Sequence, residues 1–462
     1  MKKHESMSGV DAAWLRMDEP TNRMTITTVL VLHDPMDIGT LRALVDERLL
    51  GFLRFRQHVQ DPHTSPHWAV DPHFDITQHV RRSALPGNGG RAELKERASE
   101  LMSRPLDTSR PLWDFELIED YQGGSAIIAR IHHCIADGIA LVHVLFSLTD
   151  EHFDAARFPT SERSGWLSRA VGAPVRLVRG MANTGAKLLE ETATSLLRPK
   201  HVLHRAEQGM SLGAALSKLA LTDPDSDTPF KGELGVAQQA TWSDTIDLPT
   251  IKSVGHALDA KVNDVLLGAV AGALRYYLKQ RGASTDDVIV RTLIPVNLRS
   301  KEKAFELGNR FGLVFLDLPV GLEGHIRRVR AVKRQMDEIK GSTEAVAAFG
   351  ILETLGYLPI EAEDRAVRFF SNKASAVMTN VPGPREQLHL KGHRLQHVMP
   401  WVPRAGNIGL GVSIFSYAGD VRLGVACDAA LVPDPDTILD GFREEFDRLV
   451  ADTGAVDAAA AS

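Results

Sequence analysis

The sequence SAIIARIHHCIADGIALVHVLFSL, residues 125–148, decides how the fold is organised around a candidate site. Its first part, Ser125–His132, is rich in apolar residues and predicts a buried strand. Gly138–Leu148 follows at once and predicts a helix. The polar residues between these two elements therefore lie in a loop at the edge of a core, where side chains can be held for chemistry.

This loop carries two adjacent histidines and an aspartate, His132, His133 and Asp137. An imidazole is suited to taking a proton from an alcohol near neutral pH, so a histidine here is a candidate general base. The aspartate cannot easily act as a second base on the same atom, but it can brace the turn by accepting hydrogen bonds. Gly138 is expected to let the chain bend where a Cβ would obstruct it.

Two other interpretations of the loop stay open on residue chemistry alone. The histidines could be ordinary residues at a core edge, or His132, His133 and Asp137 could hold a metal, because two histidines and one carboxylate form facial triads. Adjacent residues at a strand end point to opposite faces, which disfavours the metal.

A covalent nucleophile is the remaining alternative, since Gly209–Gly213 (GMSLG) matches the G-x-S-x-G pattern of hydrolases. The preceding HVLHRAEQ is polar and cannot be the buried strand that feeds a nucleophile elbow. Ser211 is instead predicted to cap a helix over Ala214–Leu221.

Length and composition restrict the class of protein. A chain of 462 residues predicts two domains, and 44% hydrophobic with 24% charged residues is typical of a globular protein. A net charge of -6 disfavours nucleic acid as a partner. Cys134 and Cys427 are the only cysteines, too few for a disulfide framework or a thiolate metal cage, which suits a reducing cytosol.

The sequence contains no predicted transmembrane span or secretory signal. The N-terminus lacks an apolar segment, and the best apolar run, Val265–Leu274, is broken by Arg275. Between Arg163 and Arg205, eight basic residues stand against two glutamates, a local charge of +6. This segment predicts either the solvated basic face of a connector or a patch that rests on anionic lipid.

The remaining pattern predicts two mixed lobes: an N-terminal lobe over residues 1–160, a basic linker over 161–240, a C-terminal lobe over 241–452 and a frayed tail over 453–462. Asn263 is expected to cap its helix. Strands are predicted at Thr25–Leu32, Val288–Ile294, Gly312–Leu318, Ala374–Thr379, Gly409–Ser416 and Val421–Cys427, and helices at Arg91–Met102, Asn263–Leu278 and Asp436–Val450.

His132–Gly138 (HHCIADG) resembles the HHxxxDG motif of the wax ester synthase/diacylglycerol acyltransferase family, bacterial type. The shorter HHxxxD is shared with the chloramphenicol-acetyltransferase-like superfamily, which includes peptide-synthetase condensation domains. Thr379 departs from the family pattern, in which serine is usual. Further blocks that follow the family order are Met7–Met24, Phe52–Gln57, Trp68–Val80, Arg104–Trp113, Val262–Leu267, Gly308–Pro319, Asn380–Pro384, Ser416–Asp428 and Leu431–Asp434.

The resemblance implies an α/β fold of two chloramphenicol-acetyltransferase-like lobes with a tunnel at their interface. Acyl-CoA enters from one side, and a long-chain alcohol or diacylglycerol enters from the other. His133 is implied to deprotonate the acceptor hydroxyl, with His132 orienting the loop and Asp137 structural. The resemblance implies no cofactor and no metal, and a cytoplasmic protein associated peripherally with membranes or lipid inclusions.

Supporting residues are implied by two further blocks. Asn263 and Asp264 form the ND block, in which Asn263 is a candidate to stabilise the developing oxyanion. Pro111, Leu112 and Trp113 form the PLW block, and Trp113 is interpreted as a packing anchor. Two other functions stay open: a related acyltransferase with a polar or carrier-bound acceptor, and a non-catalytic lipid-inclusion protein, which the intact motif argues against.

Overall fold

The computed structural model describes residues 4–151, 221–298, 307–340 and 344–455. The strands are β1 His4–Ser6, β2 Thr25–Leu32, β3 Gln57–Gln60, β4 His67–Val70, β5 Val80–Ser83, β6 Trp113–Tyr121, β7 Gly124–His132, β8 Gln238–Trp242, β9 Ile246–Asp247, β10 Val290–Asn297, β11 Phe311–Leu318, β12 Ala376–Pro382, β13 His389–Leu390, β14 His393–Trp401, β15 Leu410–Tyr417 and β16 Asp420–Asp428. The α-helices are α1 Gly9–Arg16, α2 Ile38–Leu44, α3 Ile76–His79, α4 Arg91–Ser103, α5 Gly138–Ser147, α6 Leu248–Ala257, α7 Val262–Gln280, α8 His325–Lys340, α9 Glu344–Leu355, α10 Ile360–Ser371 and α11 Asp436–Thr453.

The first large sheet has the strand order β13-β14-β2-β7-β6-β5, and β1, β4 and β3 form a small sheet of their own. Its central strands β2 and β7 pair antiparallel, with Thr25 opposite His132. Every residue of both strands is buried, because apolar side chains cover both faces of the sheet. The strand that carries the histidine motif is therefore central and held on both sides.

The second large sheet has the order β11-β10-β12-β15-β16-β8, with β9 also pairing with β16. Strand β12 lies parallel between β10 and β15, while the other pairs are antiparallel. Helices α7 and α11 pack together on this sheet's core, and α7 has an almost entirely buried surface. Its apolar composition explains that position, since a helix that is hydrophobic all round must be covered.

Two strands pair with partners that are distant in the chain. Strand β14, from the C-terminal half, pairs antiparallel with β2 in the first sheet. Strand β8 pairs with β16 at the edge of the second sheet, about 180 residues further along the chain. The sheets are thus completed by chain segments that are distant in sequence.

The predicted strands and helices within the described residues are confirmed, with ends that differ by no more than three residues. The described part contains no helix that is both long and apolar enough to cross a bilayer. Ser211 and the basic segment Arg163–Arg205 lie outside the described residues, so their roles stay predictions, as do the domain boundaries.

Candidate active site

The histidine motif occupies the turn between β7 and α5, and the first sheet fixes its backbone. The His132 N–H donates to the Leu112 carbonyl at 2.9 Å, and the His133 N–H donates to the Met24 carbonyl at 2.7 Å. His132, His133 and Asp137 are each no more than 5% exposed. The predicted loop at the core edge is therefore a rigid, buried turn.

His132 has both ring nitrogens directed at protein groups. The backbone N–H of Cys134 donates to His132 Nδ1 at 3.1 Å, which requires the proton to be on Nε2. That nitrogen lies 3.9 Å from Asp18 Oδ1, which also accepts the Met24 N–H at 2.7 Å. Burial lowers the pKa of His132 to about 4, so the ring is neutral. These contacts are of the kind that would orient the loop, the role predicted for His132.

His133 presents a different environment, dominated by aromatic rings. Its imidazole stacks on Trp14 with ring centres 4.1 Å apart and 22° between planes, and Phe311 lies 5.6 Å away. Nδ1 is buried and has no hydrogen-bond partner among the described residues. Burial lowers the pKa of His133 to about 4, against the opposing charge of Asp137. The ring is thus a neutral imidazole, and one of its two nitrogens carries a lone pair that can accept a proton.

Asp137 joins the motif to the second half of the chain. Its Oδ1 accepts the Ala140 N–H at 3.0 Å, which caps α5, and its Oδ2 accepts the Arg310 N–H at 2.9 Å. Next to it, Ala136 forms a parallel bridge with Gly308. Both carboxylate oxygens therefore brace backbone groups, as expected of a structural residue.

Two residues at this junction were missed by the sequence reasoning. Asn309 Nδ2 donates at 2.8 Å both to the His133 carbonyl and to Asp11 Oδ1. Asp11 is 8% exposed, and burial raises its pKa. Both residues fall inside blocks that carried the resemblance, Met7–Met24 and Gly308–Pro319, so their block membership was the available signal.

An apolar cavity of about 90 Å³ begins at the ring that stacks on His133. Trp14 forms part of its wall, and the other walls come from α1, β10, β11, α9, α10 and the loop before β15. Of the described residues that line it, all but Ser371 are apolar. They are Trp14, Met17, Leu293, Leu313, Phe315, Ala348, Ile351, Leu352, Leu355, Val367, Phe370, Ser371, Ala405 and Ile408.

The PLW block supports the motif from the neighbouring strand. Pro111 and Leu112 are buried, and Leu112 supplies the carbonyl that receives the His132 N–H. Trp113 is 1% exposed, donates its indole N–H to the Phe55 carbonyl at 2.9 Å and stacks on His79. Trp113 is thus placed as the packing anchor that was expected.

The cap predicted for Asn263 is wrong. Helix α7 begins one residue earlier, at Val262, and Asp264 reaches back to accept the Lys261 N–H at 3.0 Å. Asn263 Oδ1 instead accepts from Asn380 Nδ2 at 3.1 Å, and Asn263 Nδ2 is buried without a partner in the described structure. Asn263 therefore ties α7 to β12, and a role at the oxyanion stays a prediction.

The prediction that a Cβ would obstruct the bend at Gly138 is also wrong. A Cβ built on Gly138 meets no atom within 4 Å, and Gly138 is absent from the glycines with positive φ. A side chain at this position would find open space and a backbone conformation that any residue adopts. Gly138 is simply the first residue of α5, capped by Asp137.

Metal ligands are not clustered in the part of the chain that the structure describes. No group of three or more histidine, cysteine, aspartate or glutamate residues there is arranged to hold a metal ion. Within the motif, His132 is engaged with Cys134 and His133 is stacked on Trp14, so the two imidazoles serve different neighbours.

Comparisons with known proteins cover nearly the whole chain. The wax ester synthase/diacylglycerol acyltransferase catalytic domain matches residues 7–266, and the WS/DGAT C-terminal domain matches residues 307–450. A probable diacylglycerol O-acyltransferase of Mycobacterium tuberculosis is 30% identical over 458 residues, 96% of each chain.

Solved structures give the same fold. The wax ester synthase/diacylglycerol acyltransferase from Marinobacter aquaeolei VT8 superposes with a TM-score of 0.68 at 20% identity, covering 97% of this chain and 100% of that one. The first condensation domain of the calcium-dependent antibiotic synthetase superposes with a TM-score of 0.58 at 16% identity, covering 98% and 97%. The predicted two-lobed α/β fold is confirmed, while the tunnel stays a prediction.

Proposed function

Since the chain belongs to the wax ester synthase/diacylglycerol acyltransferase family, we propose that it transfers a fatty acyl group from acyl-CoA to a long-chain alcohol or diacylglycerol with His133 as general base. The chain is an acyltransferase that acts on lipid acceptors. Acyl-CoA is a substrate in this scheme, and no further cofactor takes part.

The proposed reaction uses the neutral imidazole of His133 to activate an acceptor whose hydrocarbon chain lies in the apolar cavity. The acceptor hydroxyl gives its proton to His133 as its oxygen bonds to the thioester carbonyl carbon. The carbonyl oxygen gains the negative charge, and the tetrahedral intermediate then collapses with cleavage of the carbon–sulfur bond. The CoA thiolate leaves and takes the proton from the imidazolium, so His133 returns to its neutral form.

The observation that carries this proposal is the environment of the His133 ring. It is buried, neutral and unpaired at Nδ1 among the described residues, and it stacks on Trp14, which also lines the apolar cavity. A neutral imidazole can accept a proton on its nitrogen lone pair. A hydrocarbon chain is bound best where apolar walls replace water. Both conditions are met within one stacked pair.

Asp137 and His132 have supporting roles in this proposal. Asp137 fixes the turn by accepting two backbone N–H groups, one from each half of the chain. His132 keeps its proton on Nε2 and holds the loop through Cys134. Neither side chain transfers a proton to substrate in the scheme.

Substitution of the base tests the proposal directly. With palmitoyl-CoA and either hexadecanol or dioleoylglycerol, His133→Ala should lower ester formation by about 10² to 10⁴. His33→Ala is the matched control, because the His33 side chain is 53% exposed and lies away from the motif. A folded His133→Ala variant that retains more than a tenth of wild-type activity would remove His133 as the base.

The same assay separates the alternatives. A related acyltransferase with a polar or carrier-bound acceptor would release little CoA with either lipid, and a non-catalytic inclusion protein would release none. Peripheral association with membranes or lipid inclusions is also part of the proposal. Its support is the local charge of +6 over Arg163–Arg205 in a chain with a net charge of -6.

A further inference from the structure

Trp14 lies beside His133 and carries one polar group, the indole N–H, that the reaction scheme has not used. It is 6% exposed, its indole face stacks on His133, and the Phe311 ring lies with its centre 5.8 Å away and its plane tilted by 35°. Its Nε1–H is buried and has no hydrogen-bond partner among the described residues. A buried indole N–H ordinarily finds an acceptor, because leaving it unpaired costs free energy.

Within the described parts of the chain, the Trp14 indole N–H meets no protein acceptor. Ser371 is the one polar residue among the described residues that line the cavity, and its hydroxyl is already engaged: it donates to the Arg368 carbonyl at 3.2 Å and accepts the Asn407 N–H at 3.2 Å. The acceptor for an indole N–H at this wall therefore comes most simply from a bound molecule. Next to a general base, that molecule is the reacting substrate.

The position of Trp14 is fixed firmly enough for such a role. Arg16, on the same helix, donates to the Gly356 carbonyl at 3.2 Å and pairs with Glu363 at 3.3 Å. A Cβ on Gly356 would lie 1.7 Å from the Gly9 carbonyl oxygen, so α1 approaches the start of the α9–α10 connection as closely as glycine allows. The indole is thus held by contacts independent of substrate.

We propose that the indole N–H of Trp14 donates a hydrogen bond to the carbonyl oxygen of the acyl thioester and stabilises the negative charge that this oxygen gains during attack. The inference rests on the proposed function. A preorganised donor at the oxygen that becomes charged lowers the barrier, because its interaction strengthens in the transition state. The same ring fixes the plane of the His133 imidazole by stacking.

Trp14→Phe tests the donor, since phenylalanine keeps an aromatic face for His133 and removes only the N–H. With palmitoyl-CoA, kcat should fall about 10- to 10²-fold, by the same factor for hexadecanol and dioleoylglycerol. Trp401→Phe is the matched control, because Trp401 is also buried but donates to the Thr241 carbonyl. A kcat within twofold of wild type for Trp14→Phe would overturn the proposal. So would a fall confined to dioleoylglycerol, which would assign the N–H to a glyceryl ester.

A second measurement uses wild-type protein and does not depend on turnover. A variant is needed only to assign the Trp14 indole resonance. In ¹⁵N-tryptophan-labelled wild-type protein, the Trp14 indole resonance should move downfield with a non-hydrolysable ketone analogue of palmitoyl-CoA. It should not move downfield with S-hexadecyl-CoA, which has the same chain but no carbonyl. An equal response to both analogues would exclude a carbonyl contact. If His133→Ala stays active while the ketone analogue shifts the Trp14 resonance, His133 is excluded as the general base and the hydrogen bond from Trp14 is supported.

Discussion

The pH dependence of acyl transfer gives the sharpest test of the His133 environment. An ordinary histidine has a pKa of about 6.5 and loses its function as a base when the pH falls below that value. Burial lowers the pKa of His133 to about 4. His133 should therefore remain neutral and able to accept a proton through mildly acidic conditions.

The magnitude follows from the two pKa values. At pH 5.5, a histidine with a pKa of about 6.5 is about 9% neutral. With a pKa of about 4, the same residue is about 97% neutral. The activity at pH 5.5 should thus be close to the activity at pH 7.5. An enzyme whose base had the ordinary histidine pKa would lose about tenfold in activity between pH 7.5 and pH 5.5.

The assay is kcat/KM for hexadecanol at saturating palmitoyl-CoA between pH 5 and 8. Holding the donor at saturation keeps the ionisation of free CoA phosphates out of the profile, and the alcohol does not titrate in this range. His132→Asn serves as a control, because burial lowers the pKa of His132 to about 4 as well and the variant removes that second imidazole. The asparagine amide oxygen can replace Nδ1 as acceptor for the Cys134 N–H.

The nearly flat profile between pH 5 and 8 should persist in His132→Asn if the base is His133. Circular dichroism at each pH confirms that the protein is folded. A wild-type profile that falls tenfold per pH unit from about pH 6.5, in protein that remains folded, would refute the argument that burial keeps His133 neutral.

Two further predictions concern the motif's brace and the basic segment. Asp137→Ala leaves two backbone N–H groups without their acceptor, so it should destabilise the fold by about 2–4 kcal/mol and lower the melting temperature, whereas Asp137→Asn should lose less; unchanged melting of the alanine variant would contradict the bracing role. Flotation with anionic liposomes should weaken, and flotation with neutral liposomes should change little, when glutamine replaces three arginines of the basic segment. Unchanged flotation at low salt would exclude that segment as a lipid contact. The arginines are Arg169, Arg176 and Arg179.

Much of the fold and the centre of the site can be predicted from sequence, because the signals are local. The apolar run Thr25–Leu32 predicts β2 with its observed ends, and the motif predicts a turn between a strand and a helix. Caps are less predictable. Asn263 has the right side chain for a cap, but α7 begins at Val262, so the residue that reaches back is Asp264.

The missing part of the site comes from contacts between distant segments. Asn309 and Asp11 are 298 positions apart in the chain, yet their side chains meet behind His133. Trp14 likewise reaches the motif only because α1 packs against the helices of the second half. Periodicity and spacing carry no information about such pairings. The similarity of whole blocks to a family can mark these residues but cannot assign their partners.

The partner of β2 on its outer side has a consequence for synthesis of the protein. Translation delivers β2 and β7 early, but β14, which covers the other edge of β2, ends at Trp401. Until then the nascent chain presents an unpaired strand of threonine, isoleucine, valine and leucine residues, the kind of edge that recruits other chains. A fragment that ends before residue 393 should therefore aggregate rather than fold.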